Sequence, residues 1–156
     1  MCSISANVET KTNRSFDDNR QALCYDRVVQ MGIKIADSYQ KTSKEQGVQI
    51  ELRTRVLIAD DRRPVREGLG SVLALLSQVE VVGEAVDGQD AVHLVAERHP
   101  DVVLMDIQMP VMDGLEATRC IKSQWPQVRV IALTLYARYR TKALSAGADV
   151  FLVKGC

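Results

Sequence analysis

The sequence lacks most of the features that would mark it as a metal-thiolate, membrane or nucleic-acid protein. Its four cysteines, Cys2, Cys24, Cys120 and Cys156, show no CxxC spacing, and neither of its two histidines stands at a metal-ligand interval from them. A zinc centre or a redox dithiol is therefore not indicated, and reduced thiols are the simpler expectation. There is no excess of either charge, because Lys plus Arg and Asp plus Glu both total 20. Nothing in that balance calls for a nucleic-acid backbone or a membrane surface as partner. The start, MCSISANVETKTNR, has no basic stretch followed by an apolar one, and no apolar run approaches the roughly 20 residues that span a bilayer. These absences lead to the expectation of a cytoplasmic protein with no membrane association and no direct binding of nucleic acid.

What is present suits a folded domain. The chain has 156 residues, of which 46% are hydrophobic and 26% charged, enough for one core but not for two full domains. Residues 1–54 differ in texture from the rest. Met1 to Asn19 is rich in Ser, Thr, Asn and charge, which predicts no fixed structure. Between Arg20 and Lys41, Leu23, Val28, Ile35 and Tyr39, with Ala22, Tyr25, Val29 and Ala36 beside them, recur at helical spacing. A helix over 20–41 is possible on that pattern, capped by Asp17, Asp18 or Asn19, with Gly32 as its weak point. Thr42 to Gly47 is polar and reads as a linker.

From Arg55 onward two textures alternate. Val56–Ala59, Val79–Ala85, Val102–Met105, Val128–Leu133 and Val150–Val153 are short β-branched apolar runs that predict strands. Between them Pro64–Ser77, Gln89–Arg98, Leu115–Gln124 and Tyr136–Ala146 carry a 3.6-residue period, which predicts helices. Asp87-Gly88, His99-Pro100, Trp125-Pro126 and Gly147 fall between them as punctuation. Five strands alternating with four helices imply right-handed crossovers and an α/β fold with a parallel sheet. In the flavodoxin-like order 2-1-3-4-5, three helices fall on one face and only the first on the other. That second face is one helix short, and the expectation is of a fold that lacks its final helix after the fifth strand. Two expectations follow. Either Arg20 to Lys41 folds back over the face, or residues 1–54 form a loose extension on a chain truncated after the fifth strand.

In a parallel sheet, chemistry collects beyond the carboxyl ends of the strands. Asp60-Asp61, Asp106, Thr134 and Lys154 stand at four such ends. Taken singly, each has an ordinary explanation as a turn, cap, strand or solvated residue. Three acids together repel one another unless a cation joins them, and a hard divalent ion bound by oxygen, such as magnesium, fits that need. A carboxylate nucleophile, a hydroxyl and an ammonium beside that ion suit phosphoryl transfer, with Asp106 attacking phosphorus to form an acyl phosphate.

VLIADD at 56–61, DVVLMDIQMPVMDG at 101–114, VIALT at 130–134 and AGADVFLVKG at 146–155 together resemble the receiver domain of bacterial two-component response regulators. The resemblance covers 55–156. It is greatest to the subfamily that carries a C-terminal helix-turn-helix DNA-binding domain, which is absent from these residues. It implies that Asp106 accepts a phosphoryl group from a sensor histidine kinase. It also implies that Asp61, Asp106 and the backbone carbonyl of Gln108 hold Mg2+, with Asp60 acting through water. Thr134 and Lys154 would contact the phosphoryl group, and Phe151 would follow Thr134 as an aromatic switch that alters the surface of the fourth helix and fifth strand. Such a domain is not an enzyme beyond its own phosphorylation and dephosphorylation, and a homodimer is possible. Two other readings stand beside this one. The first is an interaction module that no longer uses phosphate, or a truncated regulator. The second is a magnesium-dependent phosphohydrolase, against which Gln108 counts because it occupies the place of a second acid. His93, His99 and the run Arg138, Arg140 and Lys142 read as surface residues. Met105, Met109 and Met112 read as gap-fillers.

Overall fold

The computed structural model describes residues 53–154, so the extension 1–54 lies almost wholly outside the described residues, and the helix anticipated over 20–41 entirely so. Five strands, β1 (Thr54–Ala59), β2 (Val79–Ala85), β3 (Val102–Asp106), β4 (Arg129–Thr134) and β5 (Val150–Val153), form one sheet in the order β2-β1-β3-β4-β5. All four pairings are parallel, which is the flavodoxin-like arrangement anticipated. The strands alternate with helices α1 (Arg63–Leu73), α2 (Gly88–Arg98), α3 (Gly114–Gln124) and α4 (Arg140–Ser145). A short 3-10 turn, Ala137–Tyr139, leads into α4.

The continuous apolar runs behave as strands because both faces of a parallel sheet are covered, so alternation with polar residues is not needed. Leu57, Val103, Met105 and Val130 point to the face carrying α2 and α3, where they pack with Ala91, Val95, Ala117 and Ile121. Ala143, Ala146 and Ala148 extend that face along α4 and beyond it. Val56, Ile58, Leu104, Ile131 and Leu133 point the other way, toward Leu69 and Leu73 of α1. The expected division of three helices against one is what the described residues show.

Helix boundaries follow local chemistry. Asp87 and Asp113 accept hydrogen bonds from the backbone N–H groups of Asp90 and Glu116 at 2.8 Å, capping α2 and α3. His99 closes α2 in the left-handed region, φ 49°, and Pro100 prevents any continuation. Gly147, φ 103°, closes the α4 segment through hydrogen bonds from its own N–H to the Leu144 carbonyl and from the Ala148 N–H to the Ala143 carbonyl, both 3.0 Å. Two boundaries differ from expectation. The first helix ends at Leu73, not Ser77, because the chain must turn back there into β2, leaving Leu75 83% exposed while Leu76 folds into the α1 core. The fourth starts as a 3-10 turn, with no side-chain cap, so periodicity from Tyr136 overstated its α-helical length.

One glycine fixes the loop after β3. Gly114 opens α3 directly against the end of that strand, donating from its N–H to the Ile107 carbonyl at 2.9 Å. A Cβ there would lie 1.9 Å from the Asp106 carbonyl oxygen, a contact that no rotamer relieves because both atoms are fixed by backbone. Gly70 is the contrast, since a Cβ in the middle of α1 meets nothing within 4 Å. Gly114→Ala is expected to cost about 3 kcal/mol in urea unfolding. Gly70→Ala is expected to be neutral or to add about 0.5–1 kcal/mol through better helix propensity. Equal effects would show that the loop can yield.

Candidate functional site

The carboxyl ends of β1, β3, β4 and β5 bring Asp60, Asp61, Asp106, Thr134 and Lys154 to one edge of the sheet. Asp106 and Thr134 are the last residues of their strands, and Asp60 and Lys154 follow theirs directly. Because β3 pairs with both β1 and β4, the positions of these residues are set by backbone register, not by flexible loops. Side-chain hydrogen bonds then complete the positioning. Asp60 is 1% exposed and accepts from the Arg62 N–H at 2.9 Å, while the Arg66 guanidinium donates to the Asp60 carbonyl at 2.9 Å. Asp61 is exposed, and carboxylate oxygens of Asp60, Asp61 and Asp106 lie within 4.8 Å of one another.

The Lys154 ammonium sits between two of these acids. It donates to Asp106 Oδ1 at 2.8 Å and to Asp60 Oδ2, while its backbone N–H donates to the Thr134 carbonyl at 2.7 Å. The ammonium is shared by the two buried carboxylates, and the Arg62 guanidinium lies 3.7 Å from Asp60 Oδ1 as a second positive charge. Burial pushes the Asp106 carboxyl above its ordinary value of 3.8; attraction to Lys154 and its hydrogen bond oppose this, Asp60 adds repulsion and Arg62 a weaker attraction. Desolvation wins. The three converging carboxylates, one of them exposed, form an all-oxygen donor set that could hold a hard divalent cation.

Thr134 is 1% exposed, and its hydroxyl accepts from the Tyr136 N–H at 3.3 Å. Gln108 lies exposed in the loop two residues beyond Asp106. Phe151 is half-buried on β5 and packs in the cluster formed by Ile107, Leu115, Ala132, Ala143 and Ala146. The bland readings hold elsewhere. His93, His99, Arg138, Arg140 and Lys142 are exposed, and Met105, Met109 and Met112 fill the α2–α3 core. Arg138 stacks 4.7 Å from the Tyr136 ring centre and 5.4 Å from that of Tyr139. Among the described residues the one cysteine, Cys120, is a free thiol, and no helix is long and apolar enough to cross a membrane.

Sequence reasoning missed three contributors. Arg62 and Arg66 hold the backbone around Asp60, and Gly114 makes room for the Asp106 carbonyl. The Asp113-Gly114 pair was a visible signal, but it marked a turn and cap without revealing which backbone the glycine would touch.

A parallel five-stranded sheet with an acid cluster and an opposed lysine at its carboxyl edge is the architecture of a receiver-type signalling domain. Residues 56–156 match the response regulator receiver domain family, and the chain belongs to it. Over 106 residues it is 41% identical to the transcriptional regulatory protein DegU of Brevibacillus brevis, covering 67% of this chain and 45% of that protein. The chain spans about half the length of the curated relatives it matches. Its fold is similar to a LuxR-family two-component response regulator from Aurantimonas sp. SI85-9A1, with a TM-score of 0.63, 34% identity, and coverage of 65% of this chain and 74% of that one. It is also similar to a chain in the CheX-CheY-BeF3-Mg+2 complex from Borrelia burgdorferi, with a TM-score of 0.60, 28% identity, and coverage of 65% and 78%.

The raised Asp106 value has a pH signature. A carboxyl whose folded pKa is raised contributes stability that is fully present below its ordinary 3.8 and lost as pH rises through the folded value. Asp106→Asn removes that loss. Without divalent ions the variant is expected to melt above wild type at neutral pH, by roughly 4–8 °C for each kcal/mol recovered, and the gap should close as the solution is acidified. A variant that is less stable than wild type at neutral pH would refute this account.

Proposed function

We propose that this chain is a phosphorylation-controlled signalling module in which Asp106 is the phosphoacceptor. One observation carries the reading: the Asp106 carboxylate stands at the end of β3 beside Asp60 and Asp61, with the Lys154 ammonium 2.8 Å from its oxygen. The phosphodonor is a phosphohistidine of a sensor kinase or a small acyl phosphate. An Asp106 oxygen attacks phosphorus, a P–O bond forms, and the bond to the donor nitrogen or oxygen breaks, its electron pair leaving with the donor. Protein catalysis of such a step is mostly positioning and neutralisation of charge on the equatorial oxygens.

Asp61, Asp106 and the Gln108 carbonyl would hold Mg2+, with Asp60 acting through water. The donor set fits, and the relative whose complex contains BeF3 and Mg supports the choice. When bound, the ion supplies positive charge against the phosphoryl oxygens. Lys154 then has a second partner to serve. Its ammonium is already placed between Asp60 and Asp106, and it keeps contact with an oxygen that Asp106 acquires on phosphorylation. Thr134 is the nearest hydroxyl donor on the adjacent strand, freed by breaking one bond to the Tyr136 N–H. Its movement would open space at the β4 end for Phe151, which lies two strand-register positions away on β5 and packs against Ala132. The output surface is then the exposed part of α4 and β5, and the setting is the cytoplasm.

Intact-mass measurement after incubation with magnesium and acetyl phosphate tests the reading. Wild type should gain one phosphoryl group and Asp106→Asn none. Failure of wild type to gain mass, or an equal gain by the variant, would remove Asp106 from this role.

A further inference from the structure

Three arginines, Arg62, Arg63 and Arg66, stand at the start of α1, and their surroundings set one apart. Arg66 is largely buried and committed to Glu84 of β2 at 3.0 Å and to the Asp60 carbonyl at 2.9 Å. Arg63 is exposed and pairs with Glu67 one turn on, at 2.7 Å. Arg62 differs from both. The ion pair of its guanidinium with Asp60 Oδ1, at 3.7 Å, is longer than the roughly 3.2 Å that limits a hydrogen bond. Its backbone N–H, not its side chain, bonds that oxygen. Nor does α1 gain from the charge, since Arg62 makes no side-chain cap and a cation at the amino end of a helix opposes the helix dipole.

The acid cluster defines where that guanidinium stands. Asp60 receives Lys154 on Oδ2 and faces Arg62 with Oδ1. One carboxylate oxygen from each of Asp60, Asp61 and Asp106 lies within 4.8 Å of the others, so Arg62 and Asp106 border the same small opening. Lys154 is 15% exposed and already shared between two acids, whereas Arg62 is 46% exposed. Of these two cations, Arg62 is the one that a solute meets on approach. Its charge also reaches the acceptor, because it is among the attractions that oppose the raised Asp106 value. A phosphodonor is an anion that must come up to three carboxylates, and like charges repel. A guanidinium at the opening counters that repulsion, and its planar fork matches two phosphoryl oxygens at once.

We propose that Arg62 receives the incoming phosphodonor, its guanidinium holding two oxygens of the phosphoryl group while Asp106 attacks. This rests on the reading of Asp106 as phosphoacceptor and adds a substrate contact to it. The bond from an Asp106 oxygen to phosphorus forms, and the bond from phosphorus to the donor atom breaks. With acetyl phosphate the electron pair leaves on acetate; with phosphoramidate it leaves on ammonia, from a nitrogen that already carries its protons. Arg62 makes no covalent bond and keeps its own proton, since a guanidinium stays charged at any working pH. A contact to phosphoryl oxygens is indifferent to the leaving atom. P–O and P–N donors therefore depend on Arg62 alike.

The test follows phosphorylation of the full chain by intact mass, with acetyl phosphate and with phosphoramidate, each across a Mg2+ titration. Arg62→Gln is expected to lower the second-order rate constant roughly 10-fold with both donors. Arg62→Lys keeps the charge but loses the fork, and should fall by roughly 3-fold. Arg63→Gln makes the same charge change one residue on and should shift the rate by less than about 2-fold. The Mg2+ concentration at half-maximal rate separates contact from support. If Arg62 merely held Asp60 in place, Arg62→Gln would raise that concentration, and saturating Mg2+ would restore the rate. The proposal requires it unchanged or lower, because removing one cation from beside acids does not weaken their attraction for another. A rate restored by Mg2+, a variant as fast as wild type, an equal loss in Arg63→Gln or a loss with acetyl phosphate alone would each overturn the proposal. Those outcomes leave the Asp106 reading standing, whereas a wild type that gains no phosphoryl group from either donor overturns both.

Discussion

The contact on which the site depends is the Lys154 ammonium held between Asp60 and Asp106. These three residues follow or end β5, β1 and β3, so one side chain ties together the ends of three strands that are remote in sequence. The tie is asymmetric. Burial holds the Asp106 carboxyl above its ordinary value despite its close partner, and Asp60 adds repulsion. Buried ion pairs commonly cost as much in desolvation as they return in attraction. Here the imbalance is the useful property, because a site that fully neutralised itself would have little affinity for a further cation or for a phosphoryl group that must be stabilised as it arrives.

The rest of the architecture keeps that imbalance in place. β3 is central and fully buried; Asp106 is paired with Leu133 of β4, and the preceding Met105 is paired with both Ala59 of β1 and Ala132 of β4. Gly114 folds α3 tightly back against the Asp106 carbonyl. Asp149, just before β5, accepts from the Val130 N–H of β4 at 2.8 Å and pairs with Lys122 of α3 at 3.1 Å, anchoring the amino end of the strand that presents Thr134. Rigidity of this kind lets a small chemical change at the edge be felt as a discrete rearrangement and not absorbed by a soft loop.

Much of this was legible in the residues. The alternation of short β-branched runs with helical periods specified the strand number and a parallel sheet, and with the order 2-1-3-4-5 assumed, crossover handedness fixed the uneven distribution of helices. The acids and the lysine were legible because each sits immediately after an apolar run, so any correct strand assignment brings them together. What stayed hidden depends on three-dimensional approach. The contact of Gly114 with the Asp106 carbonyl and the support of Asp60 by Arg66 join residues whose spacing has no characteristic period. The early end of α1 was hidden for a different reason: Leu73, Leu75 and Leu76 keep a helical texture through residues that in fact turn.

The parallel sheet also has a polarity. Thr54 enters β1 at the amino edge, whereas Asp60 leaves it at the carboxyl edge, roughly 20 Å away across six residues of strand. Whatever precedes Thr54 therefore joins the domain at the pole opposite the acid cluster. The two poles share the five strands of one packed sheet, so the stability of that core bears on both at once.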